Sequence, residues 1–134
     1  MLKKRLRHLI TVILFLAVFV VLTIQAFGCK NYAITTESMK PTYESGDMVI
    51  VIPCAYEALN AGDVITYFTD EGTVITHRVI SVKREDGTVI TKGDNNEYPD
   101  IEPVSQGNII GRVSFSIPKI GKLLPVKTQS NEGR

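Results

Sequence analysis

Three stretches of the chain carry residues that could do chemistry. Thr36-Glu37-Ser38-Met39-Lys40-Pro41-Thr42 offers a serine hydroxyl, and Ile75-Thr76-His77-Arg78-Val79 offers an imidazole. Thr91-Lys92-Gly93-Asp94-Asn95-Asn96-Glu97-Tyr98-Pro99-Asp100 offers two carboxylates, Asp94 and Asp100. A serine hydroxyl is a poor nucleophile until a base takes its proton. An imidazole is a better base when a carboxylate fixes its tautomer and stabilises its cation. Ser38, His77 and one of the two aspartates would complete such a set. The only other histidine, His8, stands among Lys3, Lys4, Arg5 and Arg7, so His77 is the one imidazole available to a serine beyond the apolar run described below. Each residue alone also has a plain structural role: a turn serine, a core histidine among aliphatics, acids in a Gly- and Asn-rich turn. Metal chemistry is not indicated, because one usable histidine and scattered acids give no recognisable ligand spacing.

The elements that must position these groups read as β structure. Pro41 fixes its own φ and pushes Lys40 toward an extended conformation, so Ser38 stands where a strand ends in a stiff turn. Strand alternation places Ile75, His77 and Val79 on one face. Candidate strands cover 32–36, 48–52, 63–69, 73–83, 88–92 and 109–117. The turn signals between them are Glu44-Ser45-Gly46, Asn60-Ala61-Gly62, Asp70-Glu71-Gly72 and Asp86-Gly87. Residues 55–61 could make one helical turn; no sustained helical period follows residue 30. An antiparallel sheet or small barrel is expected. Gly72-Thr73-Val74-Ile75-Thr76 recurs as Gly87-Thr88-Val89-Ile90-Thr91, which reads as similar hairpin chemistry used twice rather than as a solenoid.

Residues 9–28 contain no charge, and twenty residues at about 1.5 Å each span the roughly 30 Å hydrocarbon core of a bilayer. The apolar region of a cleaved signal peptide runs only about 7–15 residues, so this longer run predicts a retained transmembrane helix. Cys29 after Ala26-Phe27-Gly28 reads as an interfacial thiol rather than a lipid attachment point, because Phe27 is bulky for that signal. Lys3, Lys4, Arg5 and Arg7 place the amino terminus, residues 1–8, in the cytosol. Residues 29–126 then form an extracytoplasmic domain, followed by a polar tail at 127–134. The run 122–126 is too short to cross a membrane, so a single span is expected.

Composition narrows the classes further. A chain of 134 residues allows one domain of ordinary size. Fifteen basic against fourteen acidic residues, a net charge of +1, argue against nucleic-acid binding. Setting aside the four amino-terminal cations leaves 11 basic against 14 acidic residues, so the exported part is mildly acidic. Two cysteines exclude a disulfide framework and a cysteine-built zinc site.

Taken in order, the anchor, Ser38-Met39-Lys40-Pro41-Thr42, Gly62-Asp63-Val64-Ile65, Thr76-His77-Arg78-Val79, Thr91-Lys92-Gly93-Asp94-Asn95-Asn96, Ile110-Gly111-Arg112-Val113 and Ile117-Pro118-Lys119-Ile120-Gly121 resemble type I signal peptidases. More narrowly they resemble the endoplasmic-reticulum-type branch, because the commoner bacterial branch has Lys where His77 stands. The resemblance covers nearly the whole chain. It implies an all-β catalytic domain of antiparallel sheets behind a transmembrane helix, lying on the membrane. It implies a serine endopeptidase that removes signal peptides from exported preproteins after small residues, as in Ala-x-Ala, with no cofactor. Ser38 matches the nucleophile, His77 the general base and Asp100 the acid of the triad. Asp94 matches a second family acid that orders the turn, and Pro99 departs from a pattern that often has an acid there. The Thr36 hydroxyl and the Ser38 amide match the oxyanion hole, while Ile34 and Met39 match the substrate pocket. Signal peptides and the lipid bilayer are the implied partners; no accessory subunit can be named from the residues. The reading from another class is a catalytically idle, membrane-tethered β domain that binds an exported partner.

Overall fold

The computed structural model describes residues 2–120 and the backbone of 127–128. Helix α1, Leu2–Ala26, holds the apolar run, and the most apolar part of its stretch Lys3–Ala26 is not buried against the rest of the chain. An uncovered helix of this length and composition suits a lipid surround. It differs from the expected 9–28 at both ends. The basic residues Lys3 to Arg7 extend the helix at its start. At its end the Gly28 N–H donates to the Gln25 carbonyl at 3.0 Å, with φ +71 at Gly28. That left-handed conformation, open to glycine without a Cβ penalty, turns the chain out of the helix.

Seven antiparallel strands follow: β1 Lys30–Ala33, β2 Met48–Ile52, β3 Val64–Phe68, β4 Val74–Lys83, β5 Thr88–Lys92, β6 Val104–Ser105 and β7 Ile109–Ile117. They form one sheet in the order β6-β5-β4-β3-β7-β2-β1, and the two-residue β8, Lys127–Thr128, pairs in parallel with β1 at the edge. The expected all-β, antiparallel class and single amino-terminal apolar helix are therefore what the chain adopts. Strands 48–52, 88–92 and 109–117 match to the residue. The first strand starts two residues earlier than 32–36 and ends at Ala33; Ile34 exchanges backbone hydrogen bonds with Asp47 and Gly46 as the chain bends toward Ser38. β6 was not expected. Two residues after Pro103 carry no alternation to read, and only Val104 is buried. Residues 127–128, expected to begin a polar tail, join the sheet instead. The run 122–126 and the remainder of the tail lie outside the described residues.

The helical turn expected within 55–61 is a 3-10 turn at Tyr56–Ala58. Two clusters form the core. Leu59, Ile65, Tyr67, Val79, Val89 and Val104 make one, with Ile75 packed against it, and Tyr32, Ile34, Val49 and Val51 make the other. β3 and β4 pair with Ile65 opposite His77 and Thr66 opposite Thr76. Alternation thus sends Ile75, His77 and Val79 toward the first cluster, as the sequence predicts.

Candidate active site

His77 lies in the middle of β4, between β3 and β5, and is 7% exposed. A strand flanked on both sides is a rigid support, so the ring has little freedom to move. Its two nitrogens face different partners. Nδ1 is 2.7 Å from Asp100 Oδ2, and Nε2 is 3.1 Å from Ser38 Oγ. The structure thus brings Ser38, His77 and Asp100 into one line of hydrogen bonds, although 23 and 39 positions separate His77 from the other two.

Asp100 reaches the imidazole because of how the 92–99 loop closes. The Asp100 N–H donates to the Thr91 carbonyl at 2.8 Å, so the chain leaves β5 and returns beside it. At that neck Oδ2 accepts three hydrogen bonds: from His77 Nδ1, from Thr91 Oγ1 at 2.6 Å and from the Tyr67 hydroxyl at 3.3 Å. Burial alone would raise the Asp100 pKa. The hydrogen bonds from His77, Thr91 and Tyr67 outweigh it and hold the carboxyl below the usual carboxylate range. The Tyr67 hydroxyl, buried between Thr91 and Asp100, is pushed well above its ordinary value, chiefly by desolvation. It stays protonated, as a donor, across the physiological range.

Asp94 occupies a different position. Its carboxylate takes a two-point grip on Arg78, with Nε to Oδ1 at 2.7 Å and an Nη to Oδ2 at 2.6 Å, and accepts from the Thr42 hydroxyl. The hydrogen bonds from Arg78 lead in lowering its pKa, against some desolvation. The same guanidinium donates to the Gly62 carbonyl at 2.8 Å. Arg78 and Asp94 thereby tie β4, the 93–96 turn, the Ser38–Thr42 turn and the turn before β3 into one knot.

The nucleophile's segment is docked through backbone. The Asn95 N–H donates to the Ser38 carbonyl at 2.8 Å, and Lys40 and Tyr43 N–H groups bond back to Glu37 and Met39 within the turn. Gly93 makes this approach possible: a Cβ there would stand 2.7 Å from the Ser38 carbonyl oxygen. The Thr36 hydroxyl lies 3.1 Å from Ser38 Oγ. Ile34 and Met39 are 2% and 1% exposed, with Ile34 packed in the second core cluster. Among the described residues no group of three or more His, Cys, Asp or Glu side chains is placed to hold a metal ion.

Four residues of this network carried no assigned role in the sequence: Tyr67, Thr91, Arg78 and Thr42. Arg78, Thr91 and Thr42 sit inside the quoted motifs, so a signal was present. Tyr67 lay only within the candidate strand 63–69, with nothing in its type or spacing to mark it. Chemically, the line Asp100–His77–Ser38 can accept the serine proton at Nε2 while the carboxylate steadies the resulting cation.

Residues 6–99 match the family profile described as signal peptidase, peptidase S26. Ser38 and His77 fall within the match, and Asp100 lies one residue beyond it. The chain is 32% identical over 96 residues to signal peptidase I W of Bacillus subtilis, covering 69% of this chain and 50% of that protein. It is 34% identical over 125 residues to a Staphylococcus aureus protein named inactive signal peptidase IA, covering 90% and 68%. It is 28% identical over 95 residues to the human signal peptidase complex catalytic subunit SEC11C, covering 63% and 50%. The chain spans about half the length of the first and third of these relatives.

Proposed function

Since this chain belongs to the signal peptidase, peptidase S26 family, we propose that it is a working member of the Ser/His, endoplasmic-reticulum-type branch: a membrane-anchored serine endopeptidase that removes signal peptides from exported preproteins. The observation that carries this reading is the line from Ser38 Oγ through His77 to Asp100, at 3.1 and 2.7 Å. Nε2 takes the hydroxyl proton as Ser38 Oγ attacks the scissile carbonyl. Asp100 holds the ring through Nδ1–H and stabilises the imidazolium. The proton then passes to the leaving amine, and the same imidazole activates the water that hydrolyses the acyl-enzyme. The Ser38 amide and the Thr36 hydroxyl are assigned to the oxyanion that develops only in the transition state. Ile34 and Met39 floor the pocket for small side chains of Ala-x-Ala type sites. Asp94 keeps the Ser38 turn and β4 in register.

Four amino-terminal cations before α1 assign residues 1–8 to the cytosol and the β domain to the outer face of the cell membrane, as a single-pass protein. Signal peptides and the bilayer are then its partners.

The second reading is an idle tethered domain. Two observations favour it: a relative bears an inactive name, and the Thr36 hydroxyl contacts Ser38 Oγ itself. One experiment separates the two. The purified chain in detergent is given a preprotein with an Ala-x-Ala site. The first reading expects cleavage, lost by about 10³-fold or more in Ser38→Ala and in His77→Ala, since residues that act as a unit fail singly. His77→Lys is expected to be inactive too, because a lysine reaches differently and must be desolvated to be neutral near pH 7. Full activity in His77→Ala would remove the triad.

A further inference from the structure

The triad carboxylate has a hydroxyl partner that neither takes nor gives the serine proton. The Tyr67 hydroxyl projects from β3 to the same oxygen of Asp100 that the imidazole uses, 3.3 Å away, and to Thr91 Oγ1 at 3.2 Å. Tyr67 is 5% exposed, and its ring belongs to the first core cluster. Packing therefore fixes where the hydroxyl points. A phenylalanine would serve the core equally, so the hydroxyl has a separate use. We propose that Tyr67 is a positioning residue for the reaction: its hydroxyl holds the Asp100 carboxylate in the plane of the imidazole and limits how strongly that carboxylate pulls on the Nδ1 proton.

The proposal rests on the protease reading for its catalytic meaning and on geometry for its structural one. Asp100 lies on a loop, and loops shift more readily than strands. Three anchors counter this. The backbone bond to the Thr91 carbonyl sets the height of residue 100, Thr91 Oγ1 holds Oδ2 from β5, and Tyr67 holds it from β3. Two donors from different strands define a direction that neither defines alone. Each donor also takes a share of the charge on Oδ2, and a carboxylate with more donors is a weaker base. His77 on β4 competes for that charge. The other charged groups close to the site, Asp94 and Arg78, are engaged with one another. Glu97 and Glu102 on the loop itself are exposed.

The sign of the effect follows. Without the phenol, Oδ2 becomes more basic and holds a protonated imidazole more strongly. The acid limb of kcat/KM, which reports the free enzyme's base, then moves to higher pH. The looser carboxylate lowers kcat by about threefold to tenfold, with KM little changed, since nothing on the substrate side is removed.

The test compares wild type with Tyr67→Phe, both as the full chain in detergent. The imidazole titration of His77 is followed by nitrogen-15 NMR, with His8 in the same sample as an internal reference. Turnover on the Ala-x-Ala preprotein is profiled against pH. The expected result is an upward move of the His77 midpoint by several tenths of a pH unit, an unmoved His8 and a matching shift of the acid limb. In an Asp100→Asn background, Tyr67→Phe should have no further effect on the His77 midpoint. A His77 titration identical in wild type and Tyr67→Phe overturns the inference, whether or not the chain cleaves anything. A His77 shift in a chain that cleaves no preprotein supports the hold on Asp100 while overturning the protease reading. If Tyr67→Phe fails to fold, Thr91→Val, which removes the second donor to Oδ2, must move the His77 midpoint the same way. An unmoved midpoint there overturns the charge-sharing argument.

Discussion

Gly93→Ala tests how tightly the serine turn is docked on the 93–96 turn. An added Cβ would lie 2.7 Å from the Ser38 carbonyl oxygen and 2.8 Å from Asn96 Nδ2. Ordinary contact begins at 3.4 Å, so the closer pair must separate by about 0.7 Å. Asn96 can give way more readily, because the atom met is the end of a side chain rather than backbone. The Ser38 carbonyl cannot give way cheaply, because it accepts the Asn95 N–H at 2.8 Å and shares a residue with the hydroxyl that faces His77. Overpacking of this size costs about 1–3 kcal/mol. In a domain of about 100 residues that lowers Tm by about 5–15 °C.

The effect on turnover is separate. A displacement near 1 Å at a reacting group costs on the order of 10²-fold. Moving Ser38 by about 0.7 Å should therefore cut kcat by about 30-fold at a temperature well below the variant's Tm. Differential scanning calorimetry gives the first number, and single-turnover cleavage of an Ala-x-Ala preprotein gives the second. Turnover within twofold of wild type in folded Gly93→Ala would refute the claim that this backbone contact sets the position of the nucleophile.

Asp100→Asn should lower turnover by about 10²–10⁴-fold with a modest loss of Tm, because an amide cannot hold the same imidazole tautomer. Asp94→Asn should do the reverse, costing about 1–3 kcal/mol in thermal unfolding by weakening the grip on Arg78 while turnover at low temperature stays within tenfold. Both carboxyls titrate below their unfolded values, so their contribution to stability is present above about pH 4 and is lost as pH falls through the lower folded pKa values. Acid unfolding monitored by circular dichroism should therefore flatten in either Asn variant; an unchanged curve would deny them that role. In intact spheroplasts, added protease should digest residues 29–134 and spare the first eight, and protection of the β domain would reverse the proposed orientation.

Much of this fold is legible because β-type runs and turn residues alternate clearly. Strands such as Thr88–Lys92, bounded by Asp86-Gly87 and by Gly93-Asp94, could be placed to the residue. Val104–Ser105 could not, since two residues have no period and pairing with β5 alone makes them a strand. The choice between Asp94 and Asp100 was open from residue types alone. Six positions apart in one loop, either could face the imidazole until the Asp100 N–H is seen to close on the Thr91 carbonyl. Family resemblance, not spacing, pointed to Asp100. Tyr67 was invisible for another reason: as a strand residue alternating with Ile65 it already had a sufficient explanation in the core. A hydroxyl at the rim of a cluster acquires its second use only through a contact 33 positions away.

Identity to relatives reports on the fold, whereas cleavage turns on far fewer atoms. The fold is carried by many buried contacts whose small contributions add, so a third of the residues can match signal peptidase I W and a relative named inactive equally well. Proton transfer at the serine depends on a handful of atoms within tenths of an ångström, and losing any one of them abolishes the function without disturbing the sheet. The informative quantities are therefore local: Oγ to Nε2 at 3.1 Å, Nδ1 to Oδ2 at 2.7 Å, and a carboxylate kept ionised against its burial by three donors. Under the proposed reading, the three donors on Oδ2 hold the carboxylate that steadies the imidazolium.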